Sequence, residues 1–399
     1  MAHIHLCWEL GAGLGHAGRL KMLALALLEH GHRVSLSVRD LMHTHALLAE
    51  LEVQILQAPL WLHDTVGLPP PASLAEILFR CGYLEAPALR GMVDGWRAML
   101  ALLEPDLVVA DYAPTALLAA RSMGLRTAAI GTGFSMPPEG RPLPALREAP
   151  AERLASSEAR MLATANAVLA ELGAQPYAYA ADVFLGDANL LCTWPELDHY
   201  QRDGADWLGP SCVAEGGLAP YWPDGEGRKV FAYLKASHAA HAAVLRALVD
   251  EGCRVLAYVP EVAAGGVPPV ISERVLYAEA PVSLPQALAQ ADLCVCHAGE
   301  GTLAQSLLAG VPLLMLPSHT EQFLGARRVA MSGAGYNAAL LAPDGDWRAV
   351  LRPLLNEAGY RDAARGFAAR HAGFSQQQLN ALLVERITLL LDGRHDARR

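Results

Sequence analysis

Short apolar runs alternate with helical patterns in two successive blocks of this 399-residue chain, and this alternation limits the fold more than any other feature. The strand candidates are HIHLCW, RVSLSV, VQILQA, DLVVAD, RTAAIG and ANLLCT, followed by KVFAYL, CRVLAYV, RVLYAE, ADLCVC and VPLLML. Such alternation builds parallel sheets with helices on both faces. The sequence therefore predicts an α/β chain of two doubly wound, Rossmann-like domains, with a ligand cleft between them at the carboxyl ends of the strands.

A glycine- and proline-rich segment separates the two blocks and suggests the domain boundaries. The stretch GPSCVAEGGLAPYWPDGEGR has the composition of an interdomain linker. We expect a first domain over residues 1–208, a linker over 209–227 and a second domain over 228–375. The stretch SQQQLNALLVERITLLLD has helical apolar spacing, so residues 376–399 should form a C-terminal helix, which could return to the first domain, and a polar tail.

Composition excludes several classes of protein. The net charge of -10 disfavours nucleic acid as a partner, because phosphate backbones require a basic surface. No apolar run approaches the roughly 20 residues of a bilayer span. No signal-type N-terminus is present, and the seven cysteines are scattered and odd in number. We therefore expect a cytoplasmic protein without integral membrane segments or a disulfide framework, and a homodimer is compatible with the sequence.

The first glycine-rich motif admits two interpretations. GLGHAG places glycines at 13, 15 and 18 in the GxGxxG pattern, between a strand and a helix, as a dinucleotide site requires. Asp40, about 20 residues further on, is where a ribose-binding acid would lie. A nicotinamide or flavin oxidoreductase is therefore one hypothesis. The alternative is that His16, inside the motif, carries the chemistry.

A second motif, in residues 280–335, is more informative. HAGEGT begins a helix directly after the strand ADLCVC, and the free amides of a helix N-terminus favour an anion such as a diphosphate. Further along, PSHTEQ follows the strand VPLLML and supplies Glu321 and Gln322. A carboxylate beside an amide suits sugar hydroxyls, which need both acceptors and donors.

Taken together, HAGEGT, GVP and the spacing to TEQFLGARRV resemble the donor signature of GT-B glycosyltransferases of the UDP-glycosyltransferase (family 1) type. The resemblance implies an inverting transferase that uses a UDP- or TDP-linked sugar, with no other cofactor and no metal. It assigns the nucleotide base to the backbone at Pro281 and Val282, and the sugar to Glu300, Glu321 and Gln322. The implied diphosphate contacts are His297, Gly299, Gly301 and Thr302, and further diphosphate candidates from the same loops are Lys235, Ser237, Ala298 and Glu300.

The same resemblance resolves the first motif. The family places a general-base histidine in a GHxxP turn, which corresponds to His16, and an aspartate partner after a later strand, which corresponds to Asp111 in LVVADYAPT. Asp40 then becomes an ordinary residue at a strand end. Two positions depart from the pattern: Arg19 replaces the proline of the turn, and Ala298 replaces a glycine of the donor loop.

The acceptor is expected to be a small hydroxyl compound, because loops of the first domain carry apolar side chains suited to an aromatic or lipophilic molecule. The candidates are Gly15, Trp61, Phe79, Tyr83, Trp96, Phe134 and Met136. A metal site at Cys294, Cys296 and His297 is disfavoured, because buried strands accept cysteines readily and no second ligand pair has zinc spacing. A non-catalytic partner protein of the same fold is a further alternative, and the presence of both His16 and Asp111 argues against it.

Overall fold

A computed structural model describes residues 1–140, 142–211 and 216–393. The chain forms two compact units, Met1–Ser211 with Ser375–Arg399, and Cys212–Phe374. The first unit thus extends three residues beyond the predicted boundary at 208. Part of the predicted linker, residues 212–215, and part of the predicted tail, residues 394–399, lie outside the described residues.

In its described residues the first unit contains a parallel six-stranded sheet of order β3-β2-β1-β4-β5-β6. Its strands are β1 His3–Trp8, β2 Arg33–Val38, β3 Gln54–Gln57, β4 Leu107–Asp111, β5 Arg126–Gly131 and β6 Ala188–Leu191. Its helices before the second unit are α1 Leu14–Glu29, α2 Leu41–Leu48, α3 Leu74–Phe79, α4 Ala86–Leu103, α5 Pro114–Ser122 and α6 Ala151–Glu171, with a 3-10 helix at Ala180–Phe184.

The second unit repeats this strand order in its described residues, as β12-β11-β10-β7-β8-β9. Its strands are β7 Lys229–Tyr233, β8 Arg254–Tyr258, β9 Val275–Tyr277, β10 Leu293–Cys296, β11 Leu313–Met315 and β12 Gly335–Asn337. Its helices are α7 His241–Asp250, α8 Pro260–Ala263, α9 Leu284–Leu288, α10 Glu300–Leu308, α11 Thr320–Met331, α12 Trp347–Asn356 and α13 Ala358–Arg370.

The central strands are buried along their whole length because helices cover both faces of each sheet. All residues of β1 and of β10 are buried. In β1 the residues of one face are polar nonetheless: His3 and His5 bond to Ser35 of the adjacent β2, at 2.8 Å each. Since all strands are parallel, their carboxyl ends lie at one edge of each sheet, where open sheets bind ligands.

The last helix, α14 Gln376–Leu391, belongs to the first unit. Arg126, at the start of β5, donates to the carbonyl oxygens of Leu390, at 3.0 Å, and Leu391. Arg386 forms an ion pair with Asp206 at 2.7 Å. Among the described residues, no helix has the length and apolar character needed to cross a bilayer.

Candidate active site

His16 and Asp111 meet at the carboxyl edge of the first sheet. The Nδ1 atom of His16 lies 2.9 Å from Oδ1 of Asp111. Both residues are buried: Asp111 has no exposed surface, and His16 is 8% exposed. Because a carboxylate only accepts hydrogen bonds, Nδ1 carries the imidazole proton and Nε2 is left with a lone pair.

Sheet order explains why these two residues meet. Strand β1 pairs with β4 in parallel, and Trp8, the last residue of β1, is the register partner of Asp111, the last residue of β4. The chain then turns through Gly11 and Gly13 and starts α1, whose first turn carries His16. Asp111 at the end of β4 and His16 at the start of the helix that follows the adjacent strand β1 therefore lie at the same edge of the sheet.

The imidazole of His16 is held between an aromatic ring and a glycine. Its ring stacks on Trp8, with centroids 5.3 Å apart and planes at 16°. On the Nε2 side lies Gly11, at φ +83°, where an added Cβ would fall 2.5 Å from Nε2. The missing side chain at Gly11 therefore keeps the basic nitrogen accessible.

Arg19, which the sequence analysis noted only as a departure from the family pattern, is a third member of this cluster. Its Nη1 donates to Oδ2 of Asp111 at 2.6 Å, and its Nε donates to Oγ of Ser211 at 2.7 Å. Burial alone would raise the pKa of the Asp111 carboxyl, but the positive charge of Arg19, and then the contact with His16, hold it below its usual value. Asp111 is therefore ionised at neutral pH.

Glu9 is a second buried carboxylate near this edge that sequence reasoning missed. It accepts the Thr115 amide at the N-terminus of α5, at 2.9 Å. Burial raises its pKa to about 7, against the opposing hydrogen bonds from Thr115. A carboxylate directly after a buried strand is the sequence signal that could have indicated it.

Asp40, the ribose candidate of the dinucleotide hypothesis, has a different role in the structure. Its carboxylate accepts from the His43 amide at 3.0 Å and contacts the His43 ring at 2.6 Å, which caps the N-terminus of α2. It is thus an ordinary residue at a strand end, as the sequence analysis expected from the resemblance.

The candidate acceptor residues do not form one cluster. Phe134 lies close to the pair, since its ring packs edge-on against Tyr112, which in turn is 6.3 Å from the His16 ring. Trp61 is half-buried in the segment after β3, where it approaches Gly82. The other predicted acceptor side chains are buried: Phe79, Tyr83, Trp96 and Met136.

Two of these residues, Tyr83 and Trp96, have no exposed surface at all. The Tyr83 hydroxyl is 3.2 Å from Oγ1 of Thr115, inside the unit. Both side chains therefore pack in the core in this structure, and the prediction that they line an acceptor pocket has no support in their positions. Gly15, in the first turn of α1, has open space where a Cβ would be.

In the second unit, the loops after β7, β10 and β11 lie side by side, because these strands are neighbours in the sheet. His297 follows β10 and links the other two loops. Its Nε2 accepts the Lys235 amide at 2.9 Å, and its Nδ1 is 2.7 Å from the carbonyl oxygen of Leu316. Since Nε2 accepts, Nδ1 carries the proton and donates to Leu316.

This arrangement corrects one sequence expectation. The resemblance placed His297 among the diphosphate contacts, where its ring would have to donate, but both ring nitrogens are bonded to backbone groups. Burial lowers the pKa of His297, which favours the neutral ring that this pattern requires. In this structure His297 fixes the relative positions of the loops rather than presenting a donor.

The turn after His297 leaves space for a ligand. Ala298 has φ +60°, the left-handed conformation that the family's glycine would adopt without strain. Gly299, the N-cap of α10, and Gly301, in its first turn, would each meet only open space if a Cβ were added. Neither has a positive φ, so backbone strain and internal packing do not explain these glycines.

The remaining donor candidates flank this turn. Lys235 and Ser237 are exposed between β7 and α7. Glu300 and Thr302 are half-buried in the first turn of α10, where an acid is favoured by the helix dipole. Val282 is a bridge partner of Leu218, whose amide donates to the Pro281 carbonyl at 2.8 Å.

Glu321 and Gln322 lie half-buried in the first turn of α11, at the edge next to α10. Oε1 of Gln322 accepts the Ser318 amide at 2.8 Å, so the side chain is anchored by its carbonyl group. Cys294 and Cys296 are buried in β10, and the described residues contain no group of three or more histidine, cysteine or acidic side chains that could hold a metal ion.

Comparison with known proteins agrees with this architecture. Residues 280–340 match the glycosyltransferase family 28 C-terminal domain. A PGL/p-HBAD biosynthesis glycosyltransferase of Mycobacterium tuberculosis is 35% identical over 102 residues, which cover 24% of each chain. The match thus spans about a quarter of the length of this curated relative.

Solved structures extend the similarity to the whole chain. The glycosyltransferase of kitacinnamycin has a TM-score of 0.69 at 22% identity and covers 96% of this chain and 98% of its own. The spinosyn rhamnosyltransferase SpnG, complexed with thymidine diphosphate, has a TM-score of 0.69 at 17% identity and covers 97% and 100%. These matches confirm the predicted GT-B fold.

Proposed function

We propose that this chain, which has the GT-B fold and matches the glycosyltransferase family 28 C-terminal domain over residues 280–340, is a glycosyltransferase. It would transfer a sugar from a nucleoside-diphosphate donor to a hydroxyl group of a small molecule, with inversion at the anomeric carbon. The observation that carries this proposal is the buried His16–Asp111 pair, in which Asp111 accepts from Nδ1 and leaves Nε2 as a base. The family match at residues 280–340 supports a nucleotide-sugar donor site in the second unit.

In the proposed reaction His16 acts as general base. The acceptor oxygen forms a bond to the anomeric carbon as the bond from that carbon to the diphosphate oxygen breaks, and the electron pair leaves with the diphosphate. The acceptor proton passes to Nε2 of His16, and Asp111 stabilises the imidazolium that results. The expected contribution of such a base is roughly 10²- to 10⁴-fold in rate.

The donor would bind at the loops around α10. The amides at the start of α10 and the positive end of its dipole favour the diphosphate. Open space at Gly299 and Gly301 supports a close approach of the ligand to this backbone. Glu321 and Gln322 would bind the sugar hydroxyls, with Glu300 as a further sugar contact, and Pro281 and Val282 would meet the base.

We propose a UDP- or TDP-linked donor, since one structural neighbour is described with thymidine diphosphate. An aromatic or lipophilic acceptor is consistent with Phe134 beside Tyr112, near the base. A cytoplasmic location is part of the same proposal.

Two measurements test the proposal. Melting temperature is recorded with UDP, TDP, GDP, NADH and FAD, because a ligand that binds only the folded state raises it; UDP or TDP should do so. Transfer is then assayed with His16→Ala, which should lose at least about 100-fold in kcat. His45→Ala, at an exposed position of α2, is the matched control.

Other outcomes distinguish the alternatives. Stabilisation by NADH or FAD alone would return the glycines of the first turn to a dinucleotide cofactor. Nucleotide binding without transfer in the wild-type chain would support a non-catalytic partner protein.

A further inference from the structure

Arg19 is the residue in the first unit whose chemistry the proposed mechanism does not yet use. It lies in α1, three residues after His16, and is only 6% exposed. A buried guanidinium is costly unless it is paired and hydrogen-bonded. Arg19 is both, since it donates to Asp111 at 2.6 Å and to Ser211 at 2.7 Å.

The Asp111 carboxylate is divided between two partners. Oδ1 faces Nδ1 of His16 at 2.9 Å, and Oδ2 faces Nη1 of Arg19 at 2.6 Å. Ser211 holds the guanidinium from its Nε side, so the plane of Arg19 is set independently of the carboxylate. The orientation of Asp111, and with it the direction of the bond to His16, therefore depends on Arg19.

The charge of Arg19 also weakens the field that Asp111 exerts on the imidazole. A buried carboxylate with a histidine as its sole partner would favour the imidazolium strongly, because opposite charges at this distance stabilise each other. A base that is already protonated cannot accept the proton of a substrate. With Arg19 in place, part of the negative charge of Asp111 is neutralised before the reaction begins.

We propose that Arg19 is a positioning residue for the His16–Asp111 pair: it orients the carboxylate toward Nδ1 and limits how tightly the pair holds a proton. This inference rests on the proposed function, in which His16 is the base. In this chain Arg19 occupies the place of the proline in the GHxxP turn, so the device is a property of this sequence rather than of the motif.

Other groups near the imidazole do not supply the same effect. Among the described residues, the charged and titratable groups around His16 include Asp111 from β4, Arg19 from α1, which is bound to Asp111, and the phenol of Tyr112, which follows β4. Trp8 from β1 stacks on the ring and carries no charge. Glu9, after β1, is turned to the N-terminus of α5.

The test compares the pH profiles of kcat/KM for the wild type, Arg19→Met and Arg19→Lys. Loss of the positive charge should move the acid limb of Arg19→Met to higher pH by about 1 to 3 units. At pH values below the limb, activity then falls about tenfold for each unit of the shift, and it recovers at higher pH. Arg19→Lys, which keeps the charge, should return the limb towards the wild-type position.

Arg97→Met is the control, because Arg97 also donates to a serine, Ser122, but lies on another element of the first unit, where it is half-buried. Its profile should keep the wild-type shape. A loss of activity in Arg19→Met that is equal at every pH, with the acid limb unmoved, would show that Arg19 only stabilises the fold and would overturn the inference.

A second measurement needs no substrate. The ring-proton resonance of His16, assigned by its absence in His16→Ala, is followed by NMR against pH in the wild type and in Arg19→Met. The inference expects the midpoint to rise in the variant by the same 1 to 3 units as the kinetic limb, and an unmoved midpoint contradicts it. If neither the wild type nor the Arg19 variants transfer sugar, the proposed function fails, while this titration still decides the role of Arg19.

Discussion

The absence of a side chain at Gly11 keeps Nε2 of the His16 imidazole accessible to a substrate. The turn between β1 and α1 passes Nε2 so closely that any Cβ at Gly11 would lie 2.5 Å from it. Gly13, two residues later, has a similar positive φ, yet an added Cβ there meets nothing within 4 Å. The two glycines therefore share a conformational requirement and differ only in their relation to the base.

We predict that Gly11→Ala abolishes transfer, with a loss of at least about 100-fold in kcat, because the methyl group displaces the imidazole or covers its lone pair. Gly13→Ala likewise places an L-residue at a positive φ, +90°, but makes no such contact. Steady-state kinetics and urea denaturation of both variants make the comparison. Equal losses of activity at equal losses of stability would mean that strain, and not access to Nε2, is responsible.

Ala298 is a second residue whose conformation matters more than its side chain. It holds φ +60° in the turn before α10, a region that costs an L-residue roughly 1–2 kcal/mol. An alanine in place of the family's glycine would suggest ordinary backbone angles in this loop. The structure shows instead that the turn keeps the left-handed conformation despite the methyl group.

We predict that Ala298→Gly stabilises the protein by about 1 kcal/mol, since glycine adopts this conformation without strain. Ala304→Gly, in the interior of α10, should instead destabilise it by about 1 kcal/mol or more, because glycine disfavours helix and the Ala304 methyl is fully buried. Urea denaturation measures both. Destabilisation of similar size in the two variants would contradict the strain argument.

Among the elements, β1 and β2 form a pair with an apolar face and a polar one. His3 and His5 alternate along β1 with Ile4 and Leu6. In the parallel register His5 lies opposite Ser35, and its Nε2 reaches Ser37 at 2.9 Å. Both nitrogens of a fully buried imidazole are thus hydrogen-bonded to hydroxyl groups, which satisfies polar groups at the centre of the sheet.

The buried histidine–serine hydrogen bonds between β1 and β2 predict that the stability of the fold decreases in acid. Burial lowers the pKa of His5 from 6.5 to about 3, so between these values the unfolded chain binds a proton that the folded chain does not. The stability that neutral His5 contributes is therefore complete above pH 6.5 and is lost progressively as pH falls through this window. Between pH 7 and 5 the loss should be about 2 kcal/mol.

The measurement is the difference in free energy of unfolding between the wild type and His5→Gln at pH 7 and at pH 5. We expect the advantage of the wild type to shrink by about 2 kcal/mol. Taking the difference removes Glu9, whose pKa of about 7 acts with the opposite sign over part of this range. A constant difference would show that His5 is protonated in the folded state.

At the scale of the whole molecule, the chain is built from two units that each have their own sheet and core. The core of the second unit includes Val230, Leu293, Leu314 and Leu351, all from that unit. The first unit includes α14 from the end of the chain, with Ile387 nearly completely buried. Separate cores predict separate responses to heat and to ligand.

We predict two unfolding transitions in differential scanning calorimetry of the full chain. UDP or TDP should raise the midpoint of one, because the proposed donor-binding residues belong to the second unit. Ile387→Ala should lower the other, since removal of a buried isoleucine side chain costs about 2–5 kcal/mol. Glu385→Ala, exposed on the same helix, serves as control. One transition shifted by both changes would contradict the prediction.

The sequence by itself determined the fold class and the chemistry of the motifs. The alternation of apolar runs with helical patterns, and the glycine- and proline-rich segment between them, predicted the two αβ blocks. Buried parallel strands appear as apolar runs in the sequence whatever their neighbours are. The motifs predicted His16 and Asp111 as a catalytic pair and residues 297–302 as a donor loop, since residue types and spacing are local properties of the chain. The end of the first unit was predicted within three residues, and the helix over 376–399 is observed as Gln376–Leu391.

Only the tertiary structure decided which partners these residues have. Arg19, Ser211 and Asp111 are far apart in sequence, and their contact follows from strand order and from the direction of α1. His297 could be assigned as a ligand donor from its motif, but the neighbouring strands occupy both of its nitrogens. Tyr83 and Trp96 could be pocket or core by sequence, and burial placed them in the core. Spacing along the chain specifies residue types, whereas hydrogen bonds and burial depend on what the fold brings alongside them.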